Sequence, residues 1–586
     1  MPSAADPSQE IGCNLVAGLD HLSGWADLLD AINVYPVADG DTGHNLLLSL
    51  APLRRLGPLS SPLADQLLMA ARGNSGNIAN RFFSSVVMAH SWSALHQAMQ
   101  NGYAAAAKAI ANPMAGTMLT ALRRLTDLFA GVDAAPTEAQ SAASLTELAA
   151  TVRRTAGQLP ELEAAGVVDA GALGIYLFMV GFYDPYLAAY SPLRSVQQQF
   201  HGLLKRKPTF RGTQPTHRWC VDIQLNLARA DTDALKTLTA GDESAVVTAQ
   251  GDRAKIHVHT QDLHRLKNEA RSLGTIVTWH QEDMVKQAAA FVQTSTSDKI
   301  HIMTDAAGSV TPADARDMGL SLLSSYLNIG QRSLPETLVA PDQLYEAMRA
   351  GVAVGTAQAS DLERQACYQR CLCRHDYVVY LCVGSAYTGT VQAALHWKAR
   401  PDPDNRVTVI DSGAASGRLG IAALASAQVA REQATVAAVV RFAQRALSLS
   451  KEYIFLDRLK YLAAGGRLSR TSAFLGDAIH LKPVVSPLPD GARKVAVVKN
   501  RHQQCRLALE KLKTHLTDHP ESDILLQYSD NRPWLEKVVL PQIRRRYGAA
   551  RILIRPISLT SGAHMGPGTW ALAFLDRQRA KQEARL

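Results

Sequence analysis

The hydrophobic periodicity of this chain changes at residues 203–218, and that change limits the possible fold more than any other feature. Upstream, alanine and leucine dominate. Apolar residues recur there at three- and four-residue steps, as in 62–71 and 143–159, which is helical spacing. The segment LLKRKPTFRGTQPTHR is basic and broken by two prolines and a glycine, so it reads as a linker. Downstream, 220–227 alternates as a strand does, 255–260 is another short strand, and a helical stretch at 262–273 precedes 275–278. From 299 onwards, apolar runs at 300–303, 377–383, 407–410 and 524–528 read as buried strands. Helical stretches at 417–430 and 435–449 separate some of them. That pattern predicts an α/β region with a largely parallel sheet. A chain of 586 residues is too long for one core. Four segments are expected: a helical domain at 1–202, the linker at 203–218, a middle domain at 219–297 and a C-terminal domain at 298–586.

Apolar residues make up 47% and charged residues 19%, which is globular composition. The net charge of +9 is compatible with an anionic partner. The densest basic clusters, Lys205-Arg206-Lys207 with Arg211 and Arg544-Arg545-Arg546, lack the interleaved aromatics of a stacking surface, so no nucleic-acid role is expected. The N-terminus has neither a charged n-region nor an apolar h-region, and the apolar stretch 170–183 is too short to span a bilayer. A cytoplasmic protein is expected. Seven irregularly spaced cysteines then read as thiols or metal ligands.

In the helical region, glycine and proline gather in four loops. Asn33-Val-Tyr-Pro-Val-Ala-Asp39-Gly-Asp41-Thr42-Gly-His44-Asn45 places two carboxylates about a glycine. Mg²⁺ takes oxygen ligands of that kind together with phosphate oxygens, but D-G-D-T-G also makes a good Asx-type turn, so spacing alone leaves both open. Arg72-Gly73-Asn74-Ser75-Gly76 leads into a helix at 77–89 and offers backbone N–H groups and a hydroxyl for phosphate, although it can equally be a plain cap. Pro113-Met114-Ala115-Gly116-Thr117 and Asp169-Ala170-Gly171-Ala172 complete the set.

These motifs, NVYPVADGDTGHN, ARGNSG, NPMAGT and GVVDAGALG, occur in the order and spacing of the L-subunit domain of dihydroxyacetone kinases. They are more similar still to the kinase domain of bacterial fatty acid kinase, over roughly residues 10–200. The resemblance implies a helical barrel with ATP or ADP at one end. Asn33, Asp39 and Asp41 would hold Mg²⁺. Thr42, Asn45, Gly73, Asn74, Ser75 and Gly76 would face the phosphates, and Gly116, Thr117 and Asp169 would lie near the nucleoside. His44 departs from the family pattern and is expected to point outward.

In the middle segment, Lys255-Ile256-His257-Val258-His259-Thr260 puts two imidazoles on one strand face. Spacing alone favours ordinary half-buried strand histidines. The HVH strand and the closing GTIVTWHQEDMVKQ resemble the middle domain of fatty acid kinase, which implies a structural Zn²⁺ site of Cys220, His257 and His259. Cys367, Cys371, Cys373 and His375 fit no common ligand spacing and read as packing thiols with a neighbouring imidazole.

The C-terminal region carries polar or glycine-rich loops at strand ends, where open sheets bind ligands. They are Thr304-Asp305-Ala306-Ala307, Gly355-Thr356-Ala357-Gln358, Ser385-Ala386-Tyr387-Thr388-Gly389-Thr390, Gly465-Gly466-Arg467-Leu468-Ser469 and Gly562-Ala563-His564-Met565-Gly566-Pro567-Gly568. Singly each is an ordinary turn. Together, over about 298–580, they resemble the DegV family, in which two α/β lobes bury an acyl chain and grip its carboxylate. Thr356, Thr388, Gly389, Arg467 and His564 would form that grip. Ala357 replaces a serine of the family's T-S-Q, and Thr388 replaces the serine of its S-G-T.

The expected fold class is therefore multidomain: an all-α helical-barrel kinase domain, a small α/β middle domain and a two-lobed α/β DegV-like domain. The expected activity is ATP-dependent phosphorylation of a long-chain fatty acid carboxylate to an acyl phosphate, with kinase and lipid carrier in one chain. A homodimer and membrane-associated enzymes that accept the acyl phosphate are the implied partners. The alternatives are a glycerone-type small-molecule kinase and a lipid-binding regulatory protein with an inactive kinase half.

Overall fold

The computed structural model describes residues 6–54, 59–110, 113–188, 191, 193, 195–207, 209–210, 215–229, 232–293, 299–399, 405–432, 435–458, 461 and 481–585. The chain forms two compact units. One comprises 1–296 with 365–370, and the other 297–364 with 371–586.

The first unit begins as a helical bundle. Helix α1 (Pro7–Ile32) starts where Asp6 accepts a bond from the Ser8 N–H and Pro7 presets the first turn. It is followed by α2 (Thr42–Leu50), α3 (Ser61–Ala70), α4 (Gly73–Val86), α5 (Trp92–Lys108), α6 (Met118–Leu128), α7 (Glu138–Thr155), α8 (Pro160–Ala165) and α9 (Ala170–Phe182). Every residue of α9 is buried, so the apolar stretch AGALGIYLFMVGF is the core helix of the bundle. It packs closely along α1: a Cβ on Gly181 would lie 2.4 Å from the Ala17 carbonyl oxygen, so only glycine fits there. Among the described residues, no helix is long and apolar enough to cross a membrane.

The same unit continues into a four-stranded, wholly antiparallel sheet ordered β2 (Glu243–Gln250), β3 (Arg253–Thr260), β1 (Trp219–Leu227) and β4 (Gly274–Asp283). Val221, Ile223 and Leu225 of β1 join Ala254, Ile256 and Val258 of β3 in a core with Leu266 and Ala270 of the helix Leu263–Leu273. The opposite face carries Cys220, Asp222 and Gln224 beside His259, His257 and Lys255, which are direct cross-strand partners. This polar face is also covered. Gln224 and Lys255 both donate to the Met69 carbonyl of α3, at 2.7 and 3.3 Å, and Arg81 of α4 donates to the Val247 carbonyl at 2.9 Å.

Among its described residues, the second unit contains three sheets. The first is parallel throughout, ordered β11 (Val407–Asp411), β10 (Tyr377–Cys382), β5 (Ile300–Asp305) and β6 (Ser321–Leu323). The second is a small antiparallel sheet ordered β8 (Arg332–Pro335), β7 (Tyr326–Ile329) and β9 (Val354–Ala357). The third has six strands ordered β14 (Gly491–Val498), β13 (Lys482–Leu488), β12 (Lys451–Phe455), β17 (Trp570–Asp576), β15 (Ser522–Tyr528) and β16 (Arg551–Pro556).

This third sheet corrects the expectation of a largely parallel region, because only β15 and β16 pair in parallel. Two features account for it. Pro489-Asp490-Gly491 closes the hairpin between β13 and β14, and hairpin partners must run antiparallel. The last strand, β17, inserts between β12 and β15 and opposes both.

Candidate functional site

Each of the four glycine-rich loops of the bundle ends at a helix N-terminus: α2 at Thr42, α4 at Gly73, α6 at Met118 and α9 at Ala170. Helix N-termini favour anions where their N–H groups are free; those of α2 are taken in part by Asp30 and those of α6 and α9 by Asp169. Several contacts bring the loops together. The Thr42 and Ser75 hydroxyls lie 3.3 Å apart. A Cβ on Gly73 would come 2.3 Å from Asn45 Nδ2. Asp169 accepts bonds from the Ala172 N–H, at 2.7 Å, and from the backbone of Met118, so the third and fourth loops share a carboxylate. Tyr35 of the acidic loop feels the charge of that same Asp169.

Within the acidic loop, buried Asn33 donates from Nδ2 to Asp39 Oδ1 at 2.6 Å. Gly40, at φ +71°, turns the chain so that Asp39 and Asp41 face one another. A plain capped turn would spend Asp41 on the start of α2. Instead Asp30, from α1, takes the Gly43 and His44 N–H groups at 2.6 and 3.3 Å, and Asp41 makes no cap bond. His44 turns back to pair with Asp30 and is 38% exposed. The two loop carboxylates are left facing each other and partly open to solvent. Desolvation and mutual repulsion push Asp39 well above the usual carboxylate range. Desolvation, with the nearby Glu282 and Asp30 charges, pushes Asp41 up to about 7. Two crowded carboxylates of this kind, beside the N-termini of α2 and α4, suit a divalent cation. Asp169 is buried and is raised to about 7 by burial, against the bonds it accepts.

The second cluster lies on the covered face of the middle sheet. Donor atoms of Cys220, His257 and His259 all fall within 4.8 Å of one another, and all three residues are buried. A tetrahedral zinc site has ligand–ligand edges of about 3.5 Å, so small side-chain rotations close this one. His257 Nδ1 faces Asp222 Oδ1 at 3.3 Å, whereas its buried Nε2 has no hydrogen-bond partner, a state that a metal would relieve. Burial, with the neighbouring His257 and His217, lowers His259 to about 3 and keeps it a neutral donor. Burial and the charges of Asp222, Asp41, Glu282 and Asp39 raise the Cys220 thiol.

Reading the sequence missed three residues here. Asp222 sits one pleat along from Cys220, and β1 alternation was enough to reveal it. Glu282 lies directly across from Cys220 on β4. Asp30 carried no local signal. Cys367 and Cys371 are buried on the helix Asp361–Arg374, where Arg370 donates to Cys367 Sγ at 3.3 Å, and Cys373 is half-buried.

In the second unit, Thr356 lies on β9 and His564 on the helix Leu559–Met565. Thr356 Oγ1 and His564 Nε2 are 3.2 Å apart across 208 residues of sequence. Thr388 bonds to Thr390 at 2.8 Å, and Gly389 caps the helix Thr390–Lys398. Arg467, with the loop around it, lies outside the described residues.

Comparison with known proteins matches three families along the chain. The DAK2 domain matches 36–184, the fatty acid kinase-like middle domain matches 216–291, and the DegV family of uncharacterised proteins matches 299–577. An uncharacterized protein of Staphylococcus saprophyticus is 26% identical over 355 residues, 54% of this chain and 62% of that protein. Protein YloV of Bacillus subtilis is 28% identical over 315 residues, 47% of this chain and 55% of that protein. The chain thus spans less than two thirds of either relative. A DegV domain-containing protein of Caldanaerobacter subterraneus is 25% identical over 48% of this chain and 100% of its own length. Among solved structures, a fatty-acid-binding DegV family protein from Thermus thermophilus aligns with a TM-score of 0.44 at 24% identity, over 47% of this chain and 99% of that one. This chain therefore carries a DAK2 domain, a fatty acid kinase-like middle domain and a DegV-family domain in that order, the domain set of a fatty acid kinase fused to a DegV protein.

Proposed function

We propose that the chain phosphorylates the carboxylate of a long-chain fatty acid held by its DegV-family unit, using Mg-ATP bound at the N-terminal helix ends. The observation that carries this reading is the pair Asp39 and Asp41, left uncapped because Asp30 caps α2, and lying beside the α4 terminus. Asn33, Asp39 and Asp41 would hold Mg²⁺, which supplies charge neutralisation at the phosphates. Thr42, Asn45, Gly73, Asn74, Ser75 and Gly76 would line the phosphates, and Gly116, Thr117 and Asp169 the nucleoside.

A carboxylate is already a nucleophile, so the reaction needs no strong base. One carboxylate oxygen forms a bond to the γ-phosphorus, the bridging bond to the β-phosphate breaks, and ADP leaves. The protein's share is positioning and charge. In the second unit, Thr356 and His564 make one side of a polar grip, and Thr388, Gly389 and Arg467 are assigned to the rest. Each buried methylene of the acyl chain adds about 0.8 kcal/mol to binding. The three donors of the Cys220 cluster fit a structural zinc ion.

The test uses purified full-length protein with oleate and Mg-ATP, trapping the acyl phosphate with hydroxylamine. The wild type should give the hydroxamate. Asp39→Ala and Asp41→Ala should each reduce it by about 10²-fold or more, the usual loss when charge stabilisation at a reacting centre is removed. Unchanged product in both variants would remove the assignment.

A further inference from the structure

Asp222 joins two sites that sequence places far apart. Its Oδ1 lies 3.3 Å from His257 Nδ1, and its Oδ2 accepts the Gly73 N–H at 3.2 Å. Gly73 opens α4, the helix whose N-terminus forms the phosphate-facing loop, and it stands at φ +57°. Asp222 itself is buried, and the basic groups that face it are His257, Lys255 and Arg72.

We propose that Asp222 is a positioning residue that couples metal occupancy of the Cys220–His257–His259 cluster to nucleotide binding at the α4 terminus, each favouring the other. The inference rests on the two site readings above and concerns the link between them.

The chemistry gives the sign. A carboxylate that accepts the Nδ1–H of a metal-binding histidine fixes its tautomer and leaves Nε2 as the donor. His257 Nε2 is buried without a hydrogen-bond partner. With a cation on Nε2, the Nδ1–H of His257 would stay paired with Asp222 Oδ1 and so would fix the carboxylate in place. The other oxygen then stays in place on the Gly73 N–H and holds the strained first residue of α4. The following N–H groups of Asn74 and Ser75 would then stay available to the anion, while that of Gly76 is bonded to the Arg72 carbonyl. The same cation also offsets a negative charge that would otherwise repel phosphate at this helix end. Both effects favour nucleotide, and linkage requires nucleotide to favour the metal by the same factor.

The experiment uses the full chain stripped by a chelator. Mg-ADP affinity is measured by calorimetry with and without added zinc salt, and zinc affinity by competition with a chromophoric chelator. In the wild type, zinc should tighten Mg-ADP binding by about fivefold or more, the lower end of ordinary coupling. Asp222→Asn keeps an acceptor for Gly73 but presents an N–H to His257 Nδ1, and should weaken zinc by about 10- to 100-fold. Asp222→Ala breaks both bonds, so its Mg-ADP affinity should be the same with and without saturating zinc. A wild type that takes up no zinc removes the metal reading and the coupling together. A zinc-loaded wild type whose Mg-ADP affinity does not move removes the coupling alone, and so does an Asp222→Ala variant that keeps the full zinc effect. A residue that served only to stabilise the fold would lower both affinities without changing their ratio.

Discussion

Glu336 lies buried in the second unit, and Thr560 donates to it from its N–H at 3.1 Å and from its hydroxyl, whose single hydrogen faces both carboxyl oxygens at 3.1 and 3.2 Å. These bonds anchor the helix Leu559–Met565, which carries His564. Burial pushes the Glu336 carboxyl up to about 7, only partly countered by the bonds it accepts. The unfolded value is about 4.3, so between those pH values the folded protein holds a proton that the unfolded chain has released. Stability must therefore fall as pH rises through this window and level off above it. The loss is bounded at about 4 kcal/mol. Glu336→Gln has no proton to lose. The unfolding midpoint of the second unit should drop from pH 5 to pH 8 in the wild type relative to that variant. A gap independent of pH would mean that Glu336 is not desolvated as described. At this scale the sequence was informative wherever function fixes a local motif. Asn33, Asp39 and Asp41 announce themselves within one loop. Asp30 does not, because its capping role depends on the packing of α1 against α2, 13 residues away in sequence. Asp222 was legible by strand alternation, but its bond to Gly73 spans 149 residues and needs the tertiary fold.

Helix α4 shows how one backbone conformation sets up an element. Gly73 starts the helix in the left-handed region, and a Cβ there would lie 2.3 Å from Asn45 Nδ2. Gly73→Ala carries a conformational cost of about 1–2 kcal/mol and also displaces Asn45, which bonds to Asp41. Mg-ADP affinity should fall about tenfold or more by calorimetry, since 1.4 kcal/mol is a factor of ten. Gly157→Ala is the control: its Cβ would meet nothing within 4 Å, and its affinity should match the wild type. If the two variants bind equally well, Gly73 does not shape the site. Helices and strands were legible where period carries their type: α3 and α7 follow three- and four-residue spacing, and β1 follows alternation. Strand direction was not legible. An apolar run such as 524–528 looks the same whether its neighbours run with it or against it, and β17, which reverses the pattern, comes from the far end of the chain.

On the scale of the molecule, the two units hold their cores separately. The helical bundle is built on α9, and the middle sheet has its own cluster around Ile223 and Val258. The second unit has one core around Val379, Leu381 and Leu419 and another around Phe455, Leu526 and Trp570. Ligands assigned to different units should therefore stabilise different unfolding transitions. A ligand that binds only the native state at 100 times its dissociation constant adds about 2.7 kcal/mol. For units of this size that shifts a midpoint by about 5 °C. In calorimetric scans of the full chain, Mg-ADP should raise one transition and oleate the other. Adding both together should reproduce the two separate shifts. A glycerone-type kinase with a lipid-free second unit would show the first shift without the second. A regulatory lipid binder with an inactive kinase half would show the second without the first. The fused kinase and carrier requires both, and a single transition moved equally by either ligand would contradict the division into independent cores.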